Sequence, residues 1–417
     1  MRTSLALQSR TRVQKAALTS VLFLSEAVTL AHAVRPMVLA RAVHQAGYDV
    51  CVAWDGRYRS LFPKLPFREA NLRSMSTERF LHALAYGRPI YDVDTLYQYV
   101  EDDVSAIRAV NPAIVIGDFR LTLPISAALT GIPCMTVTNA YWSPYASQKF
   151  PVPAVPMSRL IGIKTAQRVF DLIRPLAFAY HALPMNRVRT TYGLAKLPWD
   201  LRHVYTSADH VLYADVPELV PTDGAPGNHY YLGPILWSPD TSLPRWWQEI
   251  PNDKPVIYVT LGSSGNPDTL RRVLEALADM PVFVLAATAG RLGPCVPVPR
   301  NARTADFLPG ERASARADLV ICNGGSPTTQ QALAAGTPIL GIAGNMDQML
   351  NMQSIARVGA GIFLRDIAAT DSDIRTSLTT LLKDQNYRKA AKEVAGVFAR
   401  YRATERFLSL IDNLTGR

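Results

Sequence analysis

Short apolar runs recur along the chain, and longer stretches with helical spacing separate them. Apolar runs of about four to eight residues, bounded by polar or turn residues, are typical of buried β-strands. Strands that alternate with helices form parallel sheets built from βαβ units, so we predict an α/β fold. The predicted strands are 18–24, 48–54, 113–117, 134–138, 256–261, 281–286, 318–322 and 338–342.

These strands form two groups with a less regular middle between them, and the chain's 417 residues exceed what one hydrophobic core usually supports. The stretch 232–255 is rich in proline and tryptophan and is predicted to connect two domains. We therefore place an N-terminal domain at 1–237 and a second domain at 238–400. Helical periodicity in the final segment predicts a helix at 401–417 that returns to the first domain.

Residues 1–15 are interpreted as a loose basic tail. The apolar stretch Ala16 to Val34 that follows has two alternatives, a signal peptide or an uncleaved membrane anchor. Glu26 interrupts this stretch, which divides naturally into strand 18–24 and a helix at 34–46. We expect it to be part of the fold.

One junction between a strand and a helix has the composition of an anion site. The predicted strand 318–322 stops at Asn323-Gly324-Gly325, and a helix pattern begins at Ser326. The first N–H groups of a helix have no partner within it, the helix dipole is positive there, and glycines allow close approach. A diphosphate is the expected ligand.

The order of the motifs around this junction resembles that of the UDP-glycosyltransferase family, which has the GT-B fold of two facing Rossmann-like domains. The similarity runs from about Pro255 to Leu364, and more weakly along the whole chain. Its motifs are Val259-Thr260-Leu261-Gly262-Ser263-Ser264, Asp306-Phe307-Leu308-Pro309-Gly310, Asn323-Gly324-Gly325-Ser326-Pro327-Thr328-Thr329 and Asp347-Gln348.

This resemblance implies a donor site in the second domain. Phe307 would stack on a uracil base and the Leu308 backbone would bond to the edge of that base. Gln331 takes the place of the family's ribose-binding carboxylate, and the pair Asp347 and Gln348 would hold the sugar hydroxyls. The diphosphate would bind to Gly262, Ser263, Ser264, Asn323, Gly324, Gly325, Ser326 and Thr328.

Two residues depart from the family pattern. The family usually has His where this chain has Asn323, and Glu where it has Gln331. Each change replaces a charged partner by a neutral amide, which weakens the bond by roughly 1–2 kcal/mol, or about tenfold in affinity. The resemblance implies a UDP-sugar donor, and these two departures leave dTDP as the alternative nucleotide.

The resemblance also implies a catalytic pair in the first domain. His32 would be the base that accepts the proton of the acceptor hydroxyl, and Asp118, at the end of strand 113–117, would orient it. Glu26 is a second candidate for the base and a candidate acceptor contact. Tyr141 and Trp142 follow strand 134–138, where they would form either the acceptor wall or domain packing. The structural alternatives for His32 and Asp118 are packing and helix capping.

Composition narrows the partners. The formal net charge is +10, but the basic residues are dispersed and no nucleic-acid-binding motif is present, so nucleic acid is not expected. Basic residues between 159 and 190 favour an acidic acceptor or peripheral contact with the inner face of a membrane. Four scattered cysteines are expected to be buried free thiols in the cytoplasm. Asp92-Val93-Asp94 has the form of a metal-binding motif but lies in a helical stretch, where a solvated face is expected.

The sequence thus predicts an inverting glycosyltransferase that needs neither metal nor cofactor beyond its nucleotide-sugar co-substrate. The acceptor is expected to be small and apolar or lipid-like, and loops at 55–100 and 140–195 would select it. Two alternatives remain. One is a weak or inactive family member that assists another enzyme, which Asn323 and Gln331 favour. The other is a nucleotide-sugar epimerase of similar fold.

Overall fold

The protein is described from a computed structural model, which covers residues 18–155, 158, 160–262, 265–290 and 297–417. Within these residues the chain forms two parallel sheets. The first contains β1 (Ser20–Ser25), β2 (Asp49–Trp54), β3 (Arg68–Asn71), β4 (Ile114–Asp118), β5 (Cys134–Thr138), β6 (His210–Tyr213) and β7 (His229–Tyr231). The second contains β8 (Val256–Thr260), β9 (Phe283–Ala287), β10 (Ala302–Ala305), β11 (Leu319–Cys322), β12 (Ile339–Ala343) and β13 (Gly361–Arg365).

Helices cover the faces of both sheets. Those of the first domain are α1 (Leu30–Gln45), α2 (Thr77–Tyr86), α3 (Val93–Val110), α4 (Leu123–Thr130), α5 (Ile163–Thr191) and α6 (Leu201–Tyr205). Those that follow are α7 (Pro267–Leu277), α8 (Gly310–Arg316), α9 (Ser326–Ala334), α10 (Met346–Arg357), α11 (Asp371–Lys383), α12 (Gln385–Phe398) and α13 (Ala403–Thr415). Short 3-10 turns occur at Arg59–Leu61, Ala140–Trp142 and Arg245–Glu249.

In each sheet the chain order of neighbouring strands reverses once. The first sheet has the order β3-β2-β1-β4-β5-β6-β7, and the second has β10-β9-β8-β11-β12-β13. The order therefore reverses between β1 and β4 and between β8 and β11. Ligands of open α/β sheets bind at the carboxyl ends of strands beside such a switch point. Ser25 pairs with Asp118 at the first switch point, and Thr260 pairs with Cys322 at the second.

The C-terminal helix α13 lies on the first domain. Phe407 is fully buried with its ring 6.1 Å from that of Phe23, and Ile411 is buried in the same core. The Tyr48 hydroxyl donates to Asp412 at 2.5 Å and contacts the Thr415 hydroxyl at 3.1 Å. This return confirms the predicted GT-B arrangement of two Rossmann-like domains and a C-terminal helix.

Hydrogen bonds from the second domain cross to the first. Gln330 Nε2 on α9 donates to the Ala214 carbonyl at 2.6 Å, just beyond β6. Arg365 Nη1 at the end of β13 donates to the Val152 carbonyl at 2.9 Å. Arg357 on α10 donates to the Leu219 carbonyl. These bonds set the carboxyl ends of the two sheets opposite each other.

Several local expectations change in the structure. Helix α1 begins at Leu30, not at residue 34, so His32 lies in its first turn. The stretch after residue 18 is β1 followed by α1, whereas the basic tail at 1–15 lies outside the described residues. Among the described residues, no helix combines the length and apolar character needed to cross a bilayer. Asp92 is the N-cap of α3, accepting from Thr95 N at 2.8 Å, and pairs with Arg79.

Candidate active site

His32 and Asp118 meet at the first switch point. His32 Nδ1 lies 2.8 Å from Asp118 Oδ1, and the carboxylate is fully buried while the imidazole remains partly exposed. The Ser25 hydroxyl, at the end of β1, donates to the His32 carbonyl at 2.7 Å and holds the first turn of α1 in place. A carboxylate on Nδ1 fixes the tautomer in which Nε2 carries the lone pair.

Arg35, one helical turn after His32, was not anticipated from the sequence. Its Nε donates to Asp118 Oδ2 at 2.7 Å and its Nη2 to Oδ1 at 2.8 Å, a bidentate pair. Burial lowers the pKa of Arg35, but the charge and hydrogen bonds of Asp118, together with Tyr141 and Asp215, outweigh it, and the pKa is raised overall. Asp118 therefore serves two partners, and its charge is balanced by a buried guanidinium before His32 takes up a proton.

A polar chain continues from Arg35 to the second domain. Arg35 Nη1 donates to Asn139 Oδ1 at 2.8 Å, and Asn139 Nδ2 donates to Asp215 Oδ2 at 3.1 Å. Burial raises the pKa of Asp215 to about 6, against the opposing hydrogen bonds from Ala140 N and Asn139. Ser326, at the start of α9, lies 3.5 Å from Asn139 Oδ1. Asn139 and Asp215 each follow a strand of the first sheet, and this position was the signal that could have identified them.

Aromatic side chains surround the partly exposed His32. Phe119 stacks on its ring at a centroid distance of 4.6 Å and adopts the left-handed conformation, with φ +55°. Phe80, Tyr91 and Tyr205 each pack against Phe119. The half-buried ring of Phe119 therefore lies beside His32 and is backed by three buried aromatic rings, an arrangement that suits contact with an apolar acceptor.

Glu26 does not lie on this surface, contrary to the sequence expectation. It is fully buried and accepts from Arg120 Nη1 at 3.1 Å and from Met75 N at 3.2 Å. Desolvation raises the pKa of Glu26 to about 7, although the Arg120 charge acts in the opposite direction. Arg120 also pairs with buried Asp103 at 2.7 Å. The removal of Glu26 from solvent leaves His32 as the accessible candidate base.

The Gly-Gly turn forms the second switch point. Gly324 has φ +83°, and a Cβ there would lie 2.6 Å from Met352 Cγ, so only glycine fits. Asn351 Nδ2 donates to the Gly324 carbonyl at 2.7 Å, which fixes the turn from behind. Asn323 Oδ1 accepts from Gly325 N at 3.1 Å. Gly262 follows β8, and a Cβ added to it would lie 4.0 Å from Asn323 Nδ2.

This turn leads into α9, which begins at Ser326 and carries the half-buried Thr328 in its first turn. Backbone N–H groups at the start of a helix and a positive dipole make this an anion cradle. Ser263 and Ser264, which the sequence analysis assigned to the same cradle, lie outside the described residues.

Gln331 lies between the segment 306–310 and the stretch 232–255 that connects the two domains. Its Nε2 donates to the Trp237 carbonyl, and a methyl group added to Gly310 would collide with its side-chain oxygen. Phe307 is 41% exposed, so its ring is available for stacking, whereas Leu308 is buried. The structure thus brings Gln331 to the segment 306–310, as expected of a nucleotide-binding site.

One remaining donor candidate contacts one acceptor candidate. Asp347 Oδ1 accepts from Trp142 Nε1 at 2.7 Å across the domain boundary. Gln348 Oε1 accepts from Asn345 N at 3.3 Å in the capping box at the start of α10, and from Gly344 N at 2.9 Å, so it caps the helix in this conformation. Tyr141 is fully buried in a core that spans both domains, which favours domain packing over a place in the acceptor wall.

The sequence of the chain is similar to those of known glycosyltransferases. A family model described as "Erythromycin biosynthesis protein CIII-like, C-terminal domain" matches residues 271–405. A PGL/p-HBAD biosynthesis glycosyltransferase of Mycobacterium tuberculosis is 48% identical over 378 residues, covering 91% of this chain and 88% of the relative. A PGL/p-HBAD biosynthesis rhamnosyltransferase of Mycobacterium bovis is 48% identical over 382 residues, covering 92% and 85%. A Mycobacterium bovis relative named as an inactive PGL/p-HBAD biosynthesis glycosyltransferase is 47% identical over 257 residues, covering 62% and 70%.

Solved structures share the fold. The calicheamicin glycosyltransferase superposes with a TM-score of 0.69 at 18% identity, covering 96% of this chain and 99% of that one. The spinosyn rhamnosyltransferase complexed with thymidine diphosphate gives a TM-score of 0.65 at 16% identity, covering 95% and 100%. The fold match and the sequence identity to full-length relatives lead to one assignment: the chain belongs to the glycosyltransferase family of the PGL/p-HBAD biosynthesis enzymes.

Proposed function

We propose that the protein transfers a sugar, with inversion, from a nucleoside diphosphate to a hydroxyl group of an apolar, lipid-like or aromatic acceptor. The observation that carries this proposal is the pairing of His32 with Asp118 at one switch point, opposite the Gly-Gly turn at the other. A proton acceptor and an anion cradle thus face the same cleft. The family assignment favours transfer over the epimerase alternative.

The acceptor half of the reaction uses His32. Its Nε2 takes the proton of the acceptor hydroxyl as that oxygen forms a bond to the anomeric carbon of the donor. Asp118 keeps Nδ1 protonated and balances part of the charge that the imidazolium gains. The half-buried ring of Phe119, backed by buried Phe80 and Tyr205, would contact the apolar body of the acceptor.

The donor half uses the start of α9. As the anomeric carbon–oxygen bond breaks, its electron pair moves to the diphosphate, whose charge grows next to the N–H groups of Ser326 and Thr328. The Asn323 amide adds neutral hydrogen bonding. A single displacement of this kind inverts the anomeric carbon. The proposal uses no metal, because the helix start receives the charge.

The nucleotide is proposed to be a pyrimidine diphosphate, with UDP as the first candidate. Gln331 supports dTDP as the second, because its Nε2 is bonded to the Trp237 carbonyl and the side chain carries no charge to bind two ribose hydroxyls. A rhamnosyltransferase among the relatives and a spinosyn rhamnosyltransferase complexed with thymidine diphosphate are consistent with that candidate.

An auxiliary role is the second candidate function. It is favoured by the neutral residues Asn323 and Gln331, and one relative is named as inactive. The intact contact between His32 and Asp118 supports catalysis instead.

Calorimetry with UDP and dTDP, followed by mass spectrometry of reactions with a panel of nucleotide sugars and hydroxylated apolar acceptors, tests the proposal. Nucleotide binding together with a product one sugar heavier is expected. Failure to bind either nucleotide would refute it. If the protein binds a nucleotide but neither transfers sugar to any acceptor nor slowly hydrolyses the donor, the auxiliary role would be favoured.

A further inference from the structure

Helix α5 exposes large apolar side chains on the side away from the protein. Leu172 is 81% exposed and Leu176 is 74% exposed, and Leu160, just before the helix, is 85% exposed. Ile161, Ile173 and Tyr180 are exposed as well. We call the four helical residues of this set, Leu172, Ile173, Leu176 and Tyr180, the outer face of α5. A contiguous exposed apolar surface usually marks a site of interaction.

The outer face follows helical spacing. Leu172, Leu176 and Tyr180 are each four residues apart and so form one stripe. The opposite side of the helix is also apolar, because Phe170, Phe178 and other residues are buried against the protein. Packing therefore accounts for the inner side of α5 and leaves the outer face without an explanation.

Basic residues accompany this face. Helix α5 contains five lysine or arginine residues and one acidic residue, Asp171. Lys164, Arg168 and Arg187 are exposed. We propose that the outer face of α5 docks on a membrane surface that contains anionic phospholipids, with the leucines entering the headgroup region and the basic side chains contacting phosphate.

Charge favours a bilayer over a second copy of the chain. Two copies of this basic face would repel each other, whereas anionic lipid attracts it. No helix of the described residues, α5 included, is suited to cross a bilayer, so on a membrane α5 would lie in the interface plane.

A continuous series of aromatic contacts connects α5 to the candidate active site. It starts at Phe178 on the inner side of α5 and ends at His32. The successive ring pairs are Phe178–Phe150, Phe150–Trp142, Trp142–Tyr205, Tyr205–Phe119 and Phe119–His32, at centroid distances of 5.1, 6.3, 5.0, 5.6 and 4.6 Å. Docking through α5 would therefore place the aromatic side of the cleft near the lipid.

Cosedimentation with vesicles tests the docking without requiring turnover, so its outcome is independent of the proposed function. The wild type should bind vesicles of phosphatidylcholine and phosphatidylglycerol, bind pure phosphatidylcholine weakly, and dissociate as salt increases. The Leu172→Ser/Leu176→Ser variant should lose about tenfold or more in binding. The Lys164→Glu/Arg168→Glu variant should lose about tenfold, and only on anionic vesicles.

Matched controls lie elsewhere on the surface. Leu414→Ser on α13 and Arg375→Glu/Lys383→Glu on α11 should leave vesicle binding unchanged. Circular dichroism establishes that each variant is folded. Binding of the α5 variants at the wild-type level would overturn the proposal. A dimer in analytical ultracentrifugation that Leu172→Ser/Leu176→Ser dissociates would also overturn it, because a second copy would then cover the face.

Discussion

The two switch points occupy equivalent positions in their sheets but use different chemistry. The first, between β1 and β4, concentrates full charges in Asp118 and Arg35 beside His32. The second, between β8 and β11, presents backbone N–H groups and the neutral amide of Asn323. One topology provides the location of both sites, and in the proposed function the residues at the strand ends decide whether a proton or a phosphate is handled there.

The largest expected effect comes from removing the proton acceptor at the first switch point. His32→Ala should lower kcat by about 10²–10⁴-fold, the usual contribution of general base catalysis. Nucleotide affinity should stay unchanged, because the donor cradle lies in the other domain. Steady-state kinetics and calorimetry measure the two quantities. His82→Ala on α2 is the matched control, and unchanged turnover of His32→Ala would refute the assignment.

Breaking the charge balance at the first switch point should cost stability. Arg35→Met leaves Asp118 buried without its guanidinium, and the free energy of unfolding should fall by about 3–5 kcal/mol. Urea denaturation measures it. Arg400→Met removes an exposed pair with Glu218 at 3.5 Å and should cost less than about 1 kcal/mol. Equal losses in both variants would contradict the proposed importance of burial.

The second switch point can be broken at its backbone. Gly324→Ala forces a side chain into a left-handed conformation, 3.2 Å from the Gln348 carbonyl, at a cost of about 1–3 kcal/mol. Nucleotide affinity should fall about tenfold, as calorimetry would show. Gly396→Ala, in α12 with open space around it, should leave affinity unchanged. Wild-type affinity in Gly324→Ala would place the diphosphate elsewhere.

The pH dependence of the free energy of unfolding reports on the buried carboxyl groups of the first domain and not on the uncharged second switch point. The pKa of Glu26 is raised from 4.5 to about 7, so the folded state binds a proton more tightly than the unfolded state. Stability should therefore decrease as pH rises from about 5 to 7, by at most about 1.4 kcal/mol per pH unit for this group. Asp215 acts in the same direction up to about pH 6.

Glu26→Gln should flatten this dependence when urea unfolding is followed between pH 5 and 8. Glu78→Gln, on the exposed surface of α2, should keep it. A wild-type protein that becomes more stable across pH 5 to 7 would contradict the assigned sign.

The smallest expected effect concerns nucleotide choice at the second site. Gln331→Glu cannot donate to the Trp237 carbonyl, and its carboxylate can accept from both ribose hydroxyls of UDP. The affinity for UDP relative to dTDP should rise about fivefold, since deoxyribose lacks one of these hydroxyls. Calorimetry with both nucleotides gives the ratio, and Gln353→Glu on α10 is the control. An unchanged ratio would remove Gln331 from the ribose site.

Much of the fold could be predicted because buried parallel strands are apolar runs. All eight predicted strands lie within two residues of the observed ends. Among the missed strands, β3 is Arg-Glu-Ala-Asn at a sheet edge and β7 has three residues, so neither forms such a run. β13 was missed although it contains Ile-Phe-Leu. Helix α1 begins four residues earlier than expected, and Thr29 at its N-cap makes no side-chain hydrogen bond.

The candidate site was only partly predictable. Motif order located the Gly-Gly turn, and strand ends located His32 and Asp118. Arg35 was not predicted as a site residue, because the sequence does not distinguish a buried arginine from an exposed one. Glu26 was misplaced because its buried partner Arg120 lies 94 residues away in the chain. Such pairings follow from tertiary packing, which no local pattern records.

The hydrogen bond between Trp142 and Asp347 joins a candidate acceptor residue to a candidate donor residue. In the proposed function Asp347 holds a hydroxyl of the donor sugar, and a hydroxyl that takes the place of the indole N–H on Oδ1 would release Trp142. The indole packs on Tyr205 in the aromatic cluster beside His32. We therefore predict that donor binding changes the indole emission and alters the affinity for the acceptor.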